Sequence, residues 1–152
     1  MGYIDKNLMH GEQIIHRSKL HWIVFLGPII FAFIGFILFA GGKELVLIGV
    51  FLLLVAIIWM ISAFISFKTS EFGISNKRVL IKIGFIRRNS LETLLTKVEG
   101  IQVDQGILGR ILNYGSIIIK GTGGTSNPFY KIEAPMEFRK KVQEQIALIG
   151  SQ

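Results

Sequence analysis

Two kinds of hydrophobic pattern divide this chain. From Trp22 to Ala40, and again from Leu45 to Phe67, the residues are apolar almost without break and none has an ionisable side chain. After Phe67 the apolar runs shorten, alternate with polar residues and are punctuated by glycines, among them Gly73, Gly84, Gly100, Gly115 and Gly121. The two long runs predict helices of about 28 and 34 Å, close to the ~30 Å hydrocarbon core of a bilayer, where only structures that satisfy their own backbone persist. Only Gly41 to Glu44 separates them, which forces an antiparallel hairpin over 22–67, with spans 22–40 and 45–67. A buried soluble core is a poor alternative, because the residues after Phe67 are too few and too charged to enclose both runs. A cleaved signal peptide fits poorly as well: the first run starts late, lacks a small-x-small site near Ala40, and is followed at once by a second run.

The alternation beyond Phe67 reads as short strands. Phe72 and Ile74 alternate with Glu71 and Ser75, Asn76 and Lys77 make a turn, and Val79, Ile81 and Ile83 then oppose Arg78 and Lys82, which predicts a half-buried hairpin. Further strands are expected at Phe85 to Leu91, Lys97 to Asp104, Ser116 to Lys120 and Pro128 to Glu133. The phase slips at Gly100 so that Val98 and Ile101 share a face, which predicts a bulge. Ile107, Leu108, Ile111 and Leu112 recur at helical spacing, as expected of a short amphipathic turn covering a sheet edge or barrel mouth. The clearest helix of this region begins at Pro135. Phe138, Val142, Ile146 and Ile149 form its apolar stripe, Glu137 and Lys141 an i,i+4 pair, and Gly150 its stop.

Composition and charge place these elements. Of the 152 residues, 51% are hydrophobic and only 18% charged, which is too apolar for an ordinary soluble domain, and the absence of cysteine excludes disulfides, thiolate metal sites and cysteine nucleophiles. The formal charge is +7. Lys6, Arg17 and Lys19 precede the first span and a larger basic set follows the second, whereas the connecting loop has one Lys and one Glu, so the positive-inside rule puts both termini in the cytoplasm. Trp22 is expected at headgroup level and Trp59 packed against the first helix or lipid. Neither span contains an ionisable group, so an ion pathway has nothing to run on. Ser62 and Ser66 form a small-xxx-small pair, candidate helix-packing residues for a partner helix.

Little in the residues points to catalysis. His10, His16 and His21 all precede the first span and match neither a zinc-binding spacing nor a triad, so they read as structural or interfacial. The loop Gly121-Thr122-Gly123-Gly124-Thr125 fits no phosphate-binding fingerprint, and its plain reading is a strand connection. No enzyme activity, cofactor or metal is expected. Residues 68–152 hold 13 Lys and Arg against 7 Asp and Glu. Lys77, Arg78, Lys82, Arg87 and Arg88 are the candidate lipid-facing basic residues, each contributing about 1 kcal/mol of attraction if held near an anionic leaflet. Little aromatic interleaving accompanies them, which argues against nucleic acid.

Three motifs carry a resemblance: Phe72-Gly73-Ile74-Ser75-Asn76-Lys77-Arg78-Val79, Gly106-Ile107-Leu108-Gly109-Arg110-Ile111-Leu112-Asn113-Tyr114-Gly115, and Ala134-Pro135-Met136-Glu137-Phe138-Arg139. With the Gly11-Glu12 start and the Lys19 to Trp22 entry to the hairpin, they resemble the bacterial pleckstrin-homology-like (PH-like) membrane proteins over nearly the whole chain. The resemblance implies a mainly-β PH-like module, a bent sheet or partly open barrel of six to seven antiparallel strands capped by a C-terminal helix. It also implies a position on the cytoplasmic side of a bacterial inner membrane. Six strands are counted after Phe67, and Glu12 to Lys19, with Ile14, Ile15 and Leu20 nearby, is the expected source of a seventh. The expected organisation is a cytoplasmic segment over 1–21, the membrane hairpin over 22–67 and the PH-like domain over 68–152. The expected role is a membrane-anchored interaction module for a protein partner or anionic lipid headgroups, or a structural subunit of a homo- or hetero-oligomer formed through the hairpin.

Overall fold

The computed structural model describes residues 3–84, 89–122 and 126–150. Along the chain, the one-turn helix α1 (Tyr3–Lys6) and strand β1 (Ile14–Ser18) precede the hairpin helices α2 (Leu26–Ala40) and α3 (Val46–Thr69). Strands β2 (Glu71–Ser75), β3 (Arg78–Ile83), β4 (Asn89–Leu94) and β5 (Val98–Asp104) follow, then helix α4 (Ile107–Leu112), strands β6 (Tyr114–Gly121) and β7 (Ser126–Glu133), and helix α5 (Pro135–Gly150). Two compact units result: Trp22–Lys68, and a module assembled from Met1–His21 together with Thr69–Gln152.

In the helical unit both helices are long and apolar enough to cross a membrane. A 3-10 turn at Trp22–Phe25 leads into α2, and Pro28 lies in the first α-helical turn, where its missing N–H has no helical partner to lose. The helices meet through small residues. Gly35 is buried on α2, and Gly49, Ala56 and Ala63 are buried on α3, one every seven residues along a single stripe. A Cβ at Gly49 would lie 2.5 Å from the Phe39 backbone nitrogen, so only glycine admits this approach. Trp59 closes the other end of the contact, edge-on to Phe31 with ring centroids 5.7 Å apart. The link between the helices passes through Gly42 at φ 115°, a conformation open to glycine.

The module consists of two antiparallel sheets, of order β1-β2-β3-β4 and β5-β6-β7, which do not close into a barrel. Their facing sides bury Phe72, Ile74, Val79, Ile81, Ile117, Ile119 and Ile132, and α5 adds Phe138 and Val142. This is the PH-like arrangement the resemblance implies. The seventh strand is β1, paired antiparallel to β2 with Ser18 opposite Phe72, so residues 1–21 form part of the module rather than a separate segment. A register irregularity lies between Val98 and Gly100, and Val98 and Ile101 are both buried, as the phase slip predicts.

Three local expectations give way. The β2-β3 hairpin is covered on both faces, with Arg78, Val79, Leu80 and Ile81 all buried, because the N-terminal segment lies over the outer face and Ile4 sits against Gly73. In α5, Lys141 pairs with Glu144 at 3.0 Å rather than with Glu137, since Lys140 also reaches Glu144 and the two cations converge on one carboxylate. The helix at 107–112 forms, but its apolar side chains do not cover a sheet edge. The part of the expected Phe85 to Leu91 strand before Asn89, and Gly123 to Thr125, lie outside the described residues.

Candidate functional site

The module has two distinct ends, defined by where the hairpin is attached. β1 runs toward the hairpin and β2 away from it, so Lys19 to His21 and Thr69 to Glu71 lie at one end and the Asn76-Lys77 turn at the other. At the attachment end the two sheets are tied by backbone. Leu20 bridges Ile132, the Glu133 N–H donates to the Lys19 carbonyl at 3.0 Å, and the His21 N–H donates to the Lys131 carbonyl at 2.7 Å. Lys131 adopts φ 59° beside the register irregularity of β6 and β7; this left-handed residue interrupts the ladder where its carbonyl receives His21. The His21 ring stacks on Tyr114 at 5.1 Å.

The basic candidates among the described residues, Lys77, Arg78 and Lys82, do not form one patch. Lys77 is exposed at the far end, with its ammonium donating to the His10 carbonyl at 3.0 Å. Lys82, opposite Glu71 near the attachment end, is half-buried with its ammonium 4.9 Å from the Tyr3 ring centroid. Arg87 and Arg88 lie outside the described residues. Arg78 is not lipid-facing: its side chain is 7% exposed and its charge is spent inside the module.

Arg78 is the centre of a buried cluster. Its Nε donates to Glu12 Oε1 at 3.0 Å and its Nη2 to Glu12 Oε2 at 3.1 Å, a bidentate pair, while Nη1 donates to Glu92 at 2.5 Å and Nη2 to the Asn7 carbonyl at 2.5 Å. Ser75 Oγ and the Met9 N–H donate to Glu12 as well. Burial by itself would push the Glu12 carboxyl up, but hydrogen bonds from Arg78, Met9 and Ser75 and the guanidinium charge outweigh it and hold the carboxyl down to about 2. Arg78 is in turn held above its ordinary value, chiefly by the hydrogen bond to Glu12. Near the other end of the same face, Glu71 accepts the Tyr3 and Ile4 N–H groups at 2.9 and 3.1 Å, and Arg17 pairs with Asp5. The cluster fastens the N-terminal segment across the sheet. Sequence reasoning missed Glu12 in this role, because no local pattern links it to an arginine on the far side of the hairpin.

The charges left at the attachment end are mixed. Lys19, Lys82, Arg110 and Lys131 share it with Glu71, Asp104, Glu133 and Glu137. Two open grooves flank the sheets. One of about 380 Å³ lies at the far end beside β4, the edge strand of its sheet, lined by Leu91, Thr93, Lys97, Thr122 and Asn127. The other, of about 300 Å³, lies between β1 and the start of α5. Among the described residues no three His, Asp or Glu side chains gather as a metal site requires. His16 instead packs edge-on to Phe138.

Ser62 is exposed on α3 and Ser66 half-buried, and neither belongs to the Gly49, Ala56 and Ala63 stripe that packs α2.

A family model described as Bacterial PH domain matches residues 24–146. The chain belongs to the bacterial PH domain family. Within this bacterial PH domain protein the match includes the hairpin, while β1 and the Glu12 side of the buried cluster lie ahead of it. No curated protein matches the chain, and no solved structure does.

Proposed function

We propose that this bacterial PH domain protein is a non-enzymatic interaction module anchored at the cytoplasmic face of the inner membrane, where it engages a protein partner or anionic lipid. The carrying observation is the pairing of β1 with β2 across the hairpin. One folded module receives both ends of α2 and α3, so a hairpin that crosses the bilayer returns to the side it left. The charge asymmetry of the flanks over the loop supports taking that side as the cytoplasm. The edge of β4 that no described strand pairs, with its groove, suits a partner strand added by backbone hydrogen bonding.

The anchoring is tested by membrane-impermeant maleimide on intact and lysed cells carrying single cysteines, which the natural chain lacks. Lys43→Cys in the loop should react from outside, and Thr122→Cys on the module only after lysis. Reaction of Thr122→Cys in intact cells would overturn the orientation. Native mass spectrometry of the full chain in nanodiscs then separates the partners: a stoichiometric second polypeptide supports protein recognition, and retained anionic lipid supports lipid recognition.

A second reading, a structural subunit of an oligomer assembled through the hairpin, is favoured by Ser62, a small residue exposed on α3.

A further inference from the structure

Helix α4 is joined to the module by its smallest residue. Gly109 is its buried position, and a Cβ there would lie 2.5 Å from the Tyr114 carbonyl oxygen. Gln105 fastens the same junction from below, its amide donating to the Tyr114 carbonyl at 3.1 Å. The apolar side chains point the other way: Ile107 is 83% exposed, Ile111 72% and Leu108 63%. A short amphipathic helix serving the core shows the reverse pattern, and apolar groups gathered in this way mark a contact surface.

The position of α4 identifies what covers it. Asn113 ends the helix at φ 57°, Tyr114 follows, and the ring of Tyr114 stacks on His21, the last residue of the module before the apolar helices. The C-terminal end of α4 therefore stands beside the last residue of the module before the hairpin. A leaflet interface accepts apolar side chains together with an arginine that reaches phosphate, and Arg110 is exposed on the same helix as Ile107, Leu108 and Ile111.

We propose that α4 is a lipid-dipping wedge: Ile107, Leu108 and Ile111 enter the boundary between headgroups and acyl chains of the leaflet from which the hairpin departs, and Arg110 lies along the phosphates. This rests on the hairpin spanning the bilayer. The wedge adds a third point of attachment to the two covalent ones.

The full chain tests this in phosphatidylethanolamine and phosphatidylglycerol vesicles, with an environment-sensitive fluorophore on single cysteines at Ile111→Cys, Thr122→Cys and Ile58→Cys. All three sites are exposed, so labelling leaves the fold intact. Acyl-chain spin labels should quench position 111 several-fold more than position 122, while aqueous iodide shows the opposite order. Iodide quenching at 111 equal to that at 122 would overturn the wedge, and so would protection of 111 from both quenchers, which means cover by protein or a second copy. Position 58, inside α3, separates the two levels. Lipid quenching at 58 without quenching at 111 removes the wedge alone, and its absence at 58 removes the spanning hairpin and the wedge with it.

Discussion

A buried guanidinium that binds one carboxylate through two nitrogens and a second through the third has its charge matched inside the protein rather than offered to a phosphate, and Arg78 is in this state. Removing its side chain would leave Glu12 buried without its counter-charge, an arrangement that typically costs about 3–5 kcal/mol. We expect Arg78→Met to lower the thermal midpoint of the detergent-solubilised protein sharply, with no specific loss of lipid binding by whatever remains folded. Lys77→Ala, at an exposed turn, should change stability by less than about 0.5 kcal/mol. The same cluster sets an acid limit. The Glu12 carboxyl lies at about 2 in the folded chain against an ordinary 4.5, so between those values the unfolded chain binds more protons. The stability Glu12 contributes is thus complete above pH ~4.5 and is lost as pH falls toward about 2, up to roughly 3 kcal/mol in all. Unfolding midpoints measured from pH 6 to pH 3 should fall faster for the natural chain than for Glu12→Gln, and parallel curves would remove Glu12 from this role. None of this chemistry is legible in the residue string. Alternation correctly assigns Arg78 to the face opposite Val79, but whether that face is wet depends on α1 and Glu12, which arrive from the other side of the hairpin.

At the scale of elements, the periodicities were the reliable part. Uninterrupted apolar runs became α2 and α3, alternation became strands, and the 3.6-residue recurrence after Pro135 became α5. The faces of these elements were less legible. Ser62 and Ser66 are small, but α3 meets α2 through Gly49, Ala56 and Ala63, because the tight Gly41 to Glu44 link sets which side of α3 turns inward. With a Cβ 2.5 Å from the Phe39 nitrogen, Gly49→Leu has no room and should force the helices apart at a cost of about 1–3 kcal/mol or more. Cross-linking yield between cysteines placed on α2 and α3 would report it. Ser62→Leu, on an exposed face, should leave that yield unchanged. If the hairpin assembles with other copies through this face, Ser62→Leu should also shift the full chain toward monomer in native mass spectrometry.

At the scale of the molecule, the hairpin is an insertion within a sheet. Ser18 pairs with Phe72, so the strands on either side of residues 22–68 are already neighbours and a short linker can join them. A chain in which Trp22 to Lys68 is replaced by a brief Gly-Ser linker should give a soluble module with a cooperative transition. A chain beginning at Lys68 lacks β1, Ile4 and Glu12, and should remain aggregated or only partly folded. Circular dichroism and size-exclusion chromatography distinguish the two, and equal behaviour would mean that β1 contributes little to the fold. The sequence by itself determined the kinds of element and their order, because backbone hydrogen bonding and side-chain period are properties of a few consecutive residues. It also determined the membership in the PH-like class, through the three motifs around Phe72, Gly106 and Ala134. Tertiary structure alone decided that β1 completes the first sheet, that Arg78 is buried between Glu12 and Glu92, and that α4 turns its apolar side chains outward. Each of these depends on contacts between residues far apart in the chain, and a contact of that kind exists only once the chain has folded.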